Sequence, residues 1–574
     1  MRRLSNDEIA EILYEIGEYL DMQGVQFKPR AYEKVAQTIE GLQEEVADIY
    51  KKGGLKSVED IPGVGVSIAE KIEELLKTGK CKYHQDLKKK TPVDLASLTR
   101  VEGLGPRKIK VLYKKLGVKN LSDLEKSAKA GKIAKLEGFG EKTEENILKG
   151  LEFVKKSGGR FVLGFVLPVI RDVEKRLRGL KGVEAAQVAG SVRRWKETVG
   201  DADILVISNK PAVVMDYFVS MPEVGRVLAK GETRSSVTLK NGMDIDVRVV
   251  SKESYGSALA YFTGSKDHNI ELRKIAISKG YKLNEYGLYK GKKNIAGKSE
   301  EEIYKALGLD YVEPEMREMT GEIAAAKKKA LPKIIGYGDL KGDLQTQTNW
   351  TDGADSIEKM AKAAMERGLE YIAVTDHTKR LAMTGGLDEK RILKQMAEID
   401  SLNKKFGGKF RILKSTECDI LKDGGMDLPD EILKKLDIVG GSVHSLFNLS
   451  RKDQTERIKK AMANPHVDII FHPTGRLIHK REAYDVDMDE VIKTAKKTGT
   501  VLEIDASPDR LDLKDEYIKK CVDLGVKMTI DSDAHSASQF EFLEFGIAQA
   551  RRGWAQKNDI INAWPIEKML KFLK

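Results

Sequence analysis

Cysteine is nearly absent from this chain of 574 residues: Cys81, Cys418 and Cys521 stand far apart and form no C-x-x-C pair. That excludes a disulfide framework and a cysteine-rich zinc site, and it suits a reducing, intracellular setting. No uninterrupted apolar run approaches the roughly 20 residues that cross a bilayer, so no membrane partner is expected. The N-terminus, MRRLSNDEIAEIL, turns charged and amphipathic at once, a poor start for a signal peptide. Histidine is scarce too. Of eight, six (His377, His444, His466, His472, His479 and His535) fall roughly in the C-terminal third, among repeated aspartates. Such clustering suits a metal site better than a scatter of core histidines would.

What is present points elsewhere as well. A chain of this length needs several cores, and 41% hydrophobic content is enough to build them. The net charge of +11 is modest, but residues 77–119 hold thirteen Lys or Arg against three Asp or Glu. A local excess of that size is an electrostatic footprint for a polyanion, with a solvated lysine-rich face as the competing reading. One element recurs three times in the first 150 residues, a hydrophobic residue, G-x-G and a polar helix start: IPGVGVSIAEKI (61–72), VEGLGPRKIKVL (101–112) and LEGFGEKTEENI (136–147). The glycines are Gly63 and Gly65, Gly103 and Gly105, Gly138 and Gly140. Each pair permits a tight turn that aims backbone N–H groups outward at a helix N-terminus, where a phosphate is held by donors and by the helix dipole. The repeats resemble helix-hairpin-helix motifs, which grip the DNA backbone without reading its bases.

From about residue 160 the texture changes to short β-branched runs, AAQVAGSV, DILVIS, SSVTLK and IDVRVV, which predict strands of a mixed sheet. Helices and loops return over 256–318. TGEIAAAKKKALPKI (320–334) reads as a charged helix or tether, and the main boundary is placed there. Beyond it, apolar strands alternate with amphipathic helices: YIAVTD, FRILKSTE, DIVGGSVH, DIIFHP, TVLEID and KMTIDSDAH. Strands that end in acidic or imidazole residues suggest a parallel β/α barrel with its site at the strand C-termini.

The most specific chemistry sits at Gly190-Ser191-Val192-Arg193-Arg194, followed by Gly200-Asp201-Ala202-Asp203. Aspartates at i and i+2 of a strand project to one face, where they can bridge a pair of oxygen-seeking ions such as Mg²⁺. The upstream Gly-Ser offers donors to a triphosphate and Arg194 offers charge. Over residues 1–320 the chain resembles a family X DNA polymerase of the DNA polymerase beta type. The resemblance implies a third metal-binding carboxylate before a hydrophobic residue and an arginine. Asp246 fits that place in Asp244-Ile245-Asp246-Val247-Arg248, with Asp244 as the competing assignment. It also implies a nucleotide pocket formed by Gly190, Ser191, Arg194, Tyr261, Phe262, Gly264, Asn269 and Arg273. The front of the chain resembles the small lyase domain of these enzymes, with Lys71 at the Schiff-base lysine and Lys28 and Tyr32 in the phosphate pocket. Ser67 stands where some relatives carry another lysine, so a solvent-facing Lys71 stays an open alternative.

Residues 336–574 resemble a polymerase-and-histidinol-phosphatase (PHP) domain, carried by TDH (375–377), STECDI (415–420), GSVH (441–444), FHPTGR (471–476) and SDAH (532–535). The resemblance implies His377, Glu417, His444, His472, Asp533 and His535 as ligands of Mn²⁺ or Zn²⁺, with Asp352 a further candidate. It implies a 3′–5′ exonuclease or abasic-site nuclease. One departure weakens this: the first motif places Gln345 and Gln347 where imidazoles are usual, and an amide is a poorer ligand for such ions.

The expected architecture is multidomain α+β: helical helix-hairpin-helix domains, a nucleotidyltransferase palm with a mixed sheet, and a distorted β/α barrel. The expected boundaries are 1–85 lyase-like, 86–155 DNA-binding fingers, 156–255 palm, 256–319 thumb, 320–335 linker and 336–574 PHP domain. The expected function is filling of short gaps in base-excision repair, with gapped or primed DNA and dNTPs as partners, as a monomer in the nucleoid-associated cytoplasm. The alternative is a metal-dependent DNA-end nuclease for which the polymerase half is a DNA-binding platform.

Overall fold

The computed structural model describes residues 4, 6–40, 42, 45–99, 101, 104–156 and 160–573. Helices fill the region from Asn6 to Lys156. In the first, Ile9, Leu13, Ile16 and Leu20 recur at helical spacing and are all buried, forming one apolar stripe. A single cluster of buried side chains runs from Leu4 to Leu151, so the lyase-like and finger regions share a core. Tyr19 Oη donates to the Val93 carbonyl at 3.1 Å across that junction.

Next comes a five-stranded sheet in the order Val183–Val188, Asp201–Ser208, Asp244–Val250, Arg234–Leu239 and Val224–Lys230. Its central pair, Asp201–Ser208 with Asp244–Val250, is parallel, and the remaining pairs are antiparallel. Ile204 and Val206 face the core under helix Leu163–Arg178, while Leu205 packs on Ala258 and Leu259 from the other side. The middle strand is thus buried on both faces, which its run of branched apolar residues permits. The expected strand over AAQVAGSV stops at Val188, because Gly190 takes φ +66° and opens a short helix, Gly190–Arg193. The edge strand Val224–Lys230, mostly exposed, was not anticipated from the sequence.

Helices Tyr255–Thr263 and Lys266–Ser278, a small antiparallel sheet and helix Glu300–Leu307 form the thumb region. Within the 320–334 segment read as a charged helix or tether, Glu322–Lys327 is a helix. Glu322, Ile323 and Ala326 are buried there, and Glu322 Oε1 lies 2.7 Å from His268 Nδ1.

The last region alternates parallel strands with helices. Its strands form two sheets, Gly342–Thr346, Tyr371–Val374 and Arg411–Lys414, then Glu417–Asp419, Gly440–Ser442, Ile469–Ile470, Val501–Asp505 and Met528–Asp531. Single bridges, His377↔Glu417 and Thr346↔Ala534, stitch the two together, so the expected distorted barrel takes the form of two linked parallel sheets. Along Tyr371–Val374 the side chains alternate between two clusters. Tyr371 and Ala373 join Leu344, Leu413, Phe471 and Val501, whereas Ile372 and Val374 join the layer under the helices. Val501, Glu503 and Asp505 therefore share a face, and that face carries acid toward the strand end.

Candidate active site and metal cluster

Parallel pairing places Asp201 opposite Asp244 and Asp203 opposite Asp246, with all four on one face of the sheet. The two sequence candidates for the third carboxylate differ in surroundings. Asp244 is exposed and accepts a 2.7 Å hydrogen bond from Thr238 Oγ1. Asp246 is half-buried, and its Oδ2 lies 2.8 Å from Arg234 Nη2 and 3.5 Å from Arg248 Nη2. Burial, then the charges of Asp201 and Asp246, push the Asp203 carboxyl up to about 6. A carboxylate cluster so short of positive charge, already drawing arginines at its edge, fits divalent cations with oxygen ligands.

Gly190 closes over this face. Its backbone sits in the left-handed region, and a Cβ there would stand 3.3 Å from Asp203 Oδ2. The Ala189 N–H donates to the Asp203 carbonyl at 2.8 Å, which fixes the Gly190-Ser191 turn against the acidic strand. Arg193 is not free to meet a ligand. It forms a two-pronged pair with buried Glu300 at 3.0 and 2.7 Å and donates to Thr263 Oγ1 at 2.8 Å. Arg194 donates through Nε to Glu318 Oε1 at 2.9 Å and through Nη1 to the Thr263 carbonyl. Gly264 follows at φ +72°, and a Cβ there would lie 3.1 Å from Arg194 Nη1. Tyr261 is exposed beside Phe262, whose ring carries the Arg248 guanidinium 4.5 Å from its centre. Asn269 Nδ2 donates to the Tyr261 carbonyl at 2.7 Å, and Arg273 lies one turn further along the same helix. The structure thus brings the palm and nucleotide candidates into one neighbourhood.

In the front region the three repeats form the same turn: Val64 donates to Ile61, Leu104 to Val101 and Phe139 to Leu136, at 3.0 to 3.1 Å. Gly65 and Gly105 cap the helices that follow, Gly140 directly precedes the third, and Gly63 and Gly138 have φ near +80°. Gly103 lies outside the described residues. Lys71 Nζ is drawn back along its own helix, donating to the Ser67 carbonyl at 2.8 Å and Ser67 Oγ at 2.9 Å, with the Tyr83 ring centre 4.9 Å away. Tyr32 is buried, its phenol held up by burial and by Tyr83, while Lys28 is exposed at the start of its helix.

The last region gathers its candidates more tightly. Asp352, His377 and His535 form one group able to hold an ion, and His377, Glu417 and His444 form another. Glu417 is the hub, 3.2 Å from His377 Nδ1, 3.0 Å from His444 Nε2 and 2.7 Å from His472 Nε2. Burial alone would lower the imidazole pKa values, but carboxylates outweigh it, lifting His444 to about 9 and His535 to about 10. Imidazole and carboxylate donors in this mixture fit Mn²⁺ or Zn²⁺. Neither His466 nor His479 belongs to these groups.

The two glutamines stand beside this hub and bond to carboxylates. Gln347 Nε2 donates to Glu417 Oε2 at 2.9 Å, and the Gln345 amide is oriented to donate to Glu503, 3.2 Å from Oε2. Both amide nitrogens are thus engaged by carboxylates, while Gln347 Oε1 is buried without a partner. Sequence reasoning missed the acids around them. Glu503, Asp505 and Asp531 are buried, and burial, with Asp505 and Asp531 beside Glu503, Asp533 beside Asp505 and Asp343 beside Asp531, holds all three well above the carboxylate range. Arg510 Nε lies 3.4 Å from Asp505 Oδ2 and 3.7 Å from Asp533 Oδ2. Acids at every second place of buried strands, E-x-D at 503–505 and D-x-D at 531–533, were the available signal.

A palm with paired carboxylates, a thumb beside it and a separate histidine–carboxylate cluster define a nucleotidyltransferase fused to a metallo-domain. Comparison with known proteins supports this. The DNA polymerase beta thumb family matches residues 258–318, a helix-hairpin-helix domain matches 4–81, and a SAM-like helix-hairpin-helix tandem matches 95–152. The protein named DNA polymerase/3′-5′ exonuclease PolX of Bacillus subtilis (strain 168) is 37% identical over 572 residues, covering 99% of both chains. A protein named "Probable phosphatase" from Thermoanaerobacter sp. (strain X514) is 31% identical over 243 residues, 40% of this chain and 94% of its own. Another of that name from Acetivibrio thermocellus is 29% identical over 202 residues, 34% of this chain and 78% of its own. The chain belongs to the family X DNA polymerases that carry a C-terminal PHP domain. No helix among the described residues is long and apolar enough to cross a membrane.

Proposed function

We propose that the chain is a DNA-directed DNA polymerase that fills short gaps in base-excision repair, with Asp201, Asp203 and Asp246 as its catalytic carboxylates. The observation that carries this reading is the register of Asp203 against Asp246 on adjacent parallel strands, with Asp203 pushed up to about 6 by burial and then by its acidic neighbours. When bound there, two Mg²⁺ ions stabilise the attacking and leaving oxygens of an in-line displacement. The residues do the rest. Asp246 orients the primer 3′-hydroxyl and accepts its proton, and the oxygen bonds to the α-phosphorus as the bond to pyrophosphate breaks. Ser191 and Arg194 hold the triphosphate, the Tyr261-Phe262 backbone shapes the sugar pocket, and Asn269 and Arg273 face the base pair. The G-x-G hairpins grip the duplex by its phosphates. Lys71 is the proposed nucleophile for an abasic sugar, and Lys28 and Tyr32 the proposed contacts of its 5′-phosphate. The expected state is a monomer in the cytoplasm. Extension of a primer across a one-nucleotide gap with Mg²⁺ by the parent, and its loss in Asp203→Ala, tests the reading. Normal extension by the variant rejects it.

The PHP domain is proposed to hold Mn²⁺ or Zn²⁺ at Asp352, His377 and His535 and at His377, Glu417 and His444, with His472 beside Glu417, and to trim DNA 3′ ends weakly. The name of the Bacillus subtilis relative pairs both activities, and its match runs the full length of this chain. The two glutamines argue for attenuation. Degradation of 3′-end-labelled DNA with Mn²⁺ is expected to fall in His535→Ala, and equal degradation by both proteins would assign any nuclease elsewhere.

A further inference from the structure

The helix Leu543–Arg552 belongs to the PHP domain by sequence, yet it runs along the back of the polymerase site. Arg171 of the palm pairs with Glu544 at 2.7 and 3.0 Å, and the Trp195 ring meets Phe545 edge-on at 5.5 Å. Phe545 and Leu511 are members of the palm's own buried cluster. Arg551 holds the thumb through Glu315 at 2.7 Å.

The last residue of that helix reaches furthest. Arg552 has only 2% of its side chain exposed. Its Nη1 donates to the backbone carbonyl of Arg194 at 2.9 Å and to Glu318 Oε1 at 3.1 Å, and its Nη2 donates to Asp515 Oδ2 at 2.5 Å. Glu318 Oε1 is the same oxygen that accepts from Arg194 Nε at 2.9 Å, and Lys196 Nζ stands 3.8 Å from its other oxygen. Arg552 therefore grips Arg194 twice, through its main chain and through its side-chain partner. A carboxylate shared by three cations holds each less tightly than a carboxylate serving one, which makes Glu318 a weaker competitor with a triphosphate for Arg194. A buried guanidinium with fixed donors sets geometry as well as charge.

We infer that Arg552 of the PHP domain is a positioning residue for nucleotide binding, acting through Glu318 and Arg194, so that the PHP domain is a built-in part of the polymerase site. This rests on the reading of Arg194 as a triphosphate ligand. Loss of a positioning contact made equally in the ground and transition states raises KM and leaves kcat. In the full chain on one-nucleotide-gapped DNA, Arg552→Ala is expected to raise the dNTP KM on the order of tenfold with kcat changed less than about twofold. Arg552→Lys, which keeps the charge without the fork, is expected to fall between, at about threefold. Simple destabilisation would instead lower the active fraction and hence kcat. If Arg552→Ala does not fold, Asp515→Asn, which releases the far end of the guanidinium, carries the same test with an expected rise of about threefold. Calorimetric binding of dATP with Ca²⁺ in place of Mg²⁺ gives a second readout without turnover. A parent that extends no primer rejects the polymerase reading, while its dATP affinity still tests Arg552. Variants that fold and match the parent in dNTP KM or dATP affinity overturn the inference, and so does a parent that binds no dATP.

Discussion

Asp203 and Asp246 stand opposite each other in register on two parallel strands, and each is less exposed than the aspartate two residues before it. Asp244 shares the strand face of Asp246 but is tied to Thr238 rather than to the arginines that crowd Asp246. Asp246→Asn is accordingly expected to lower gap-filling turnover by ~10²-fold or more, the scale of losing one preorganised stabilising group. Asp244→Asn should stay within about threefold of the parent, below the ~0.7 kcal/mol that such a ratio represents. Steady-state kinetics of the two variants decide between the assignments, and reversed effects would move the third carboxylate to Asp244.

Glu300 makes an acid-stability prediction away from any metal. Burial alone would raise its carboxyl, but Arg317 and then Arg193 outweigh that and hold it at about 2. A depressed carboxyl stabilises the fold above its unfolded value of 4.5, and the contribution is lost as pH falls through about 2. The shift corresponds to about 3 kcal/mol. In urea unfolding, Glu300→Gln is expected to lose about that much near neutral pH. Its deficit should close between pH 4.5 and 2. A deficit that persists undiminished at low pH would mean that packing, not charge, is what Glu300 supplies.

Metal content tests the glutamines directly. In an Asp201→Ala/Asp203→Ala background, which silences the palm, titration with Mn²⁺ is expected to saturate at two ions per chain. Gln345→His with Gln347→His should add a third, because imidazole replaces amide N–H groups that now donate to Glu503 and Glu417. His444→Ala should remove one. Three ions bound by the background protein would show that the amides turn and ligate through oxygen.

Lys71 Nζ is hydrogen-bonded back to Ser67 on its own helix, so it must leave both contacts to reach a sugar aldehyde. Borohydride trapping on an abasic duplex is expected to be slow in the parent, absent in Lys71→Ala and faster in Ser67→Lys. Trapping that survives in Lys71→Ala would place the nucleophile on another lysine.

Much of this was legible in the sequence because the informative residues are neighbours along the chain. The Asp201 and Asp203 pair, the Gly190-Ser191 turn and the three G-x-G hairpins each fit within a few residues, and alternation along a strand or capping of a helix sets their geometry. The acids at 503, 505 and 531 were harder to see, since one carboxylate in an apolar strand looks like an edge residue until the sheet stacks it on others. The Arg552 contact was invisible, because the Arg194 carbonyl lies 358 residues away. The preference for Asp246 over Asp244 rested on its Val-Arg context, and the difference in their burial came only with the sheet. At 320–334 the sequence left a charged helix or a tether open; Glu322–Lys327 forms the helix, and its burial, with Glu322 against His268, was hidden by charges that suggested solvent.

The central claim is that the palm carboxylates, and not the PHP cluster, carry the principal chemistry. One experiment compares single-turnover filling of a one-nucleotide gap by the parent, by Asp203→Ala and by His377→Ala under Mg²⁺. The account predicts filling by the parent and by His377→Ala, and none by Asp203→Ala. Filling that survives in Asp203→Ala, or fails only in His377→Ala, would contradict it.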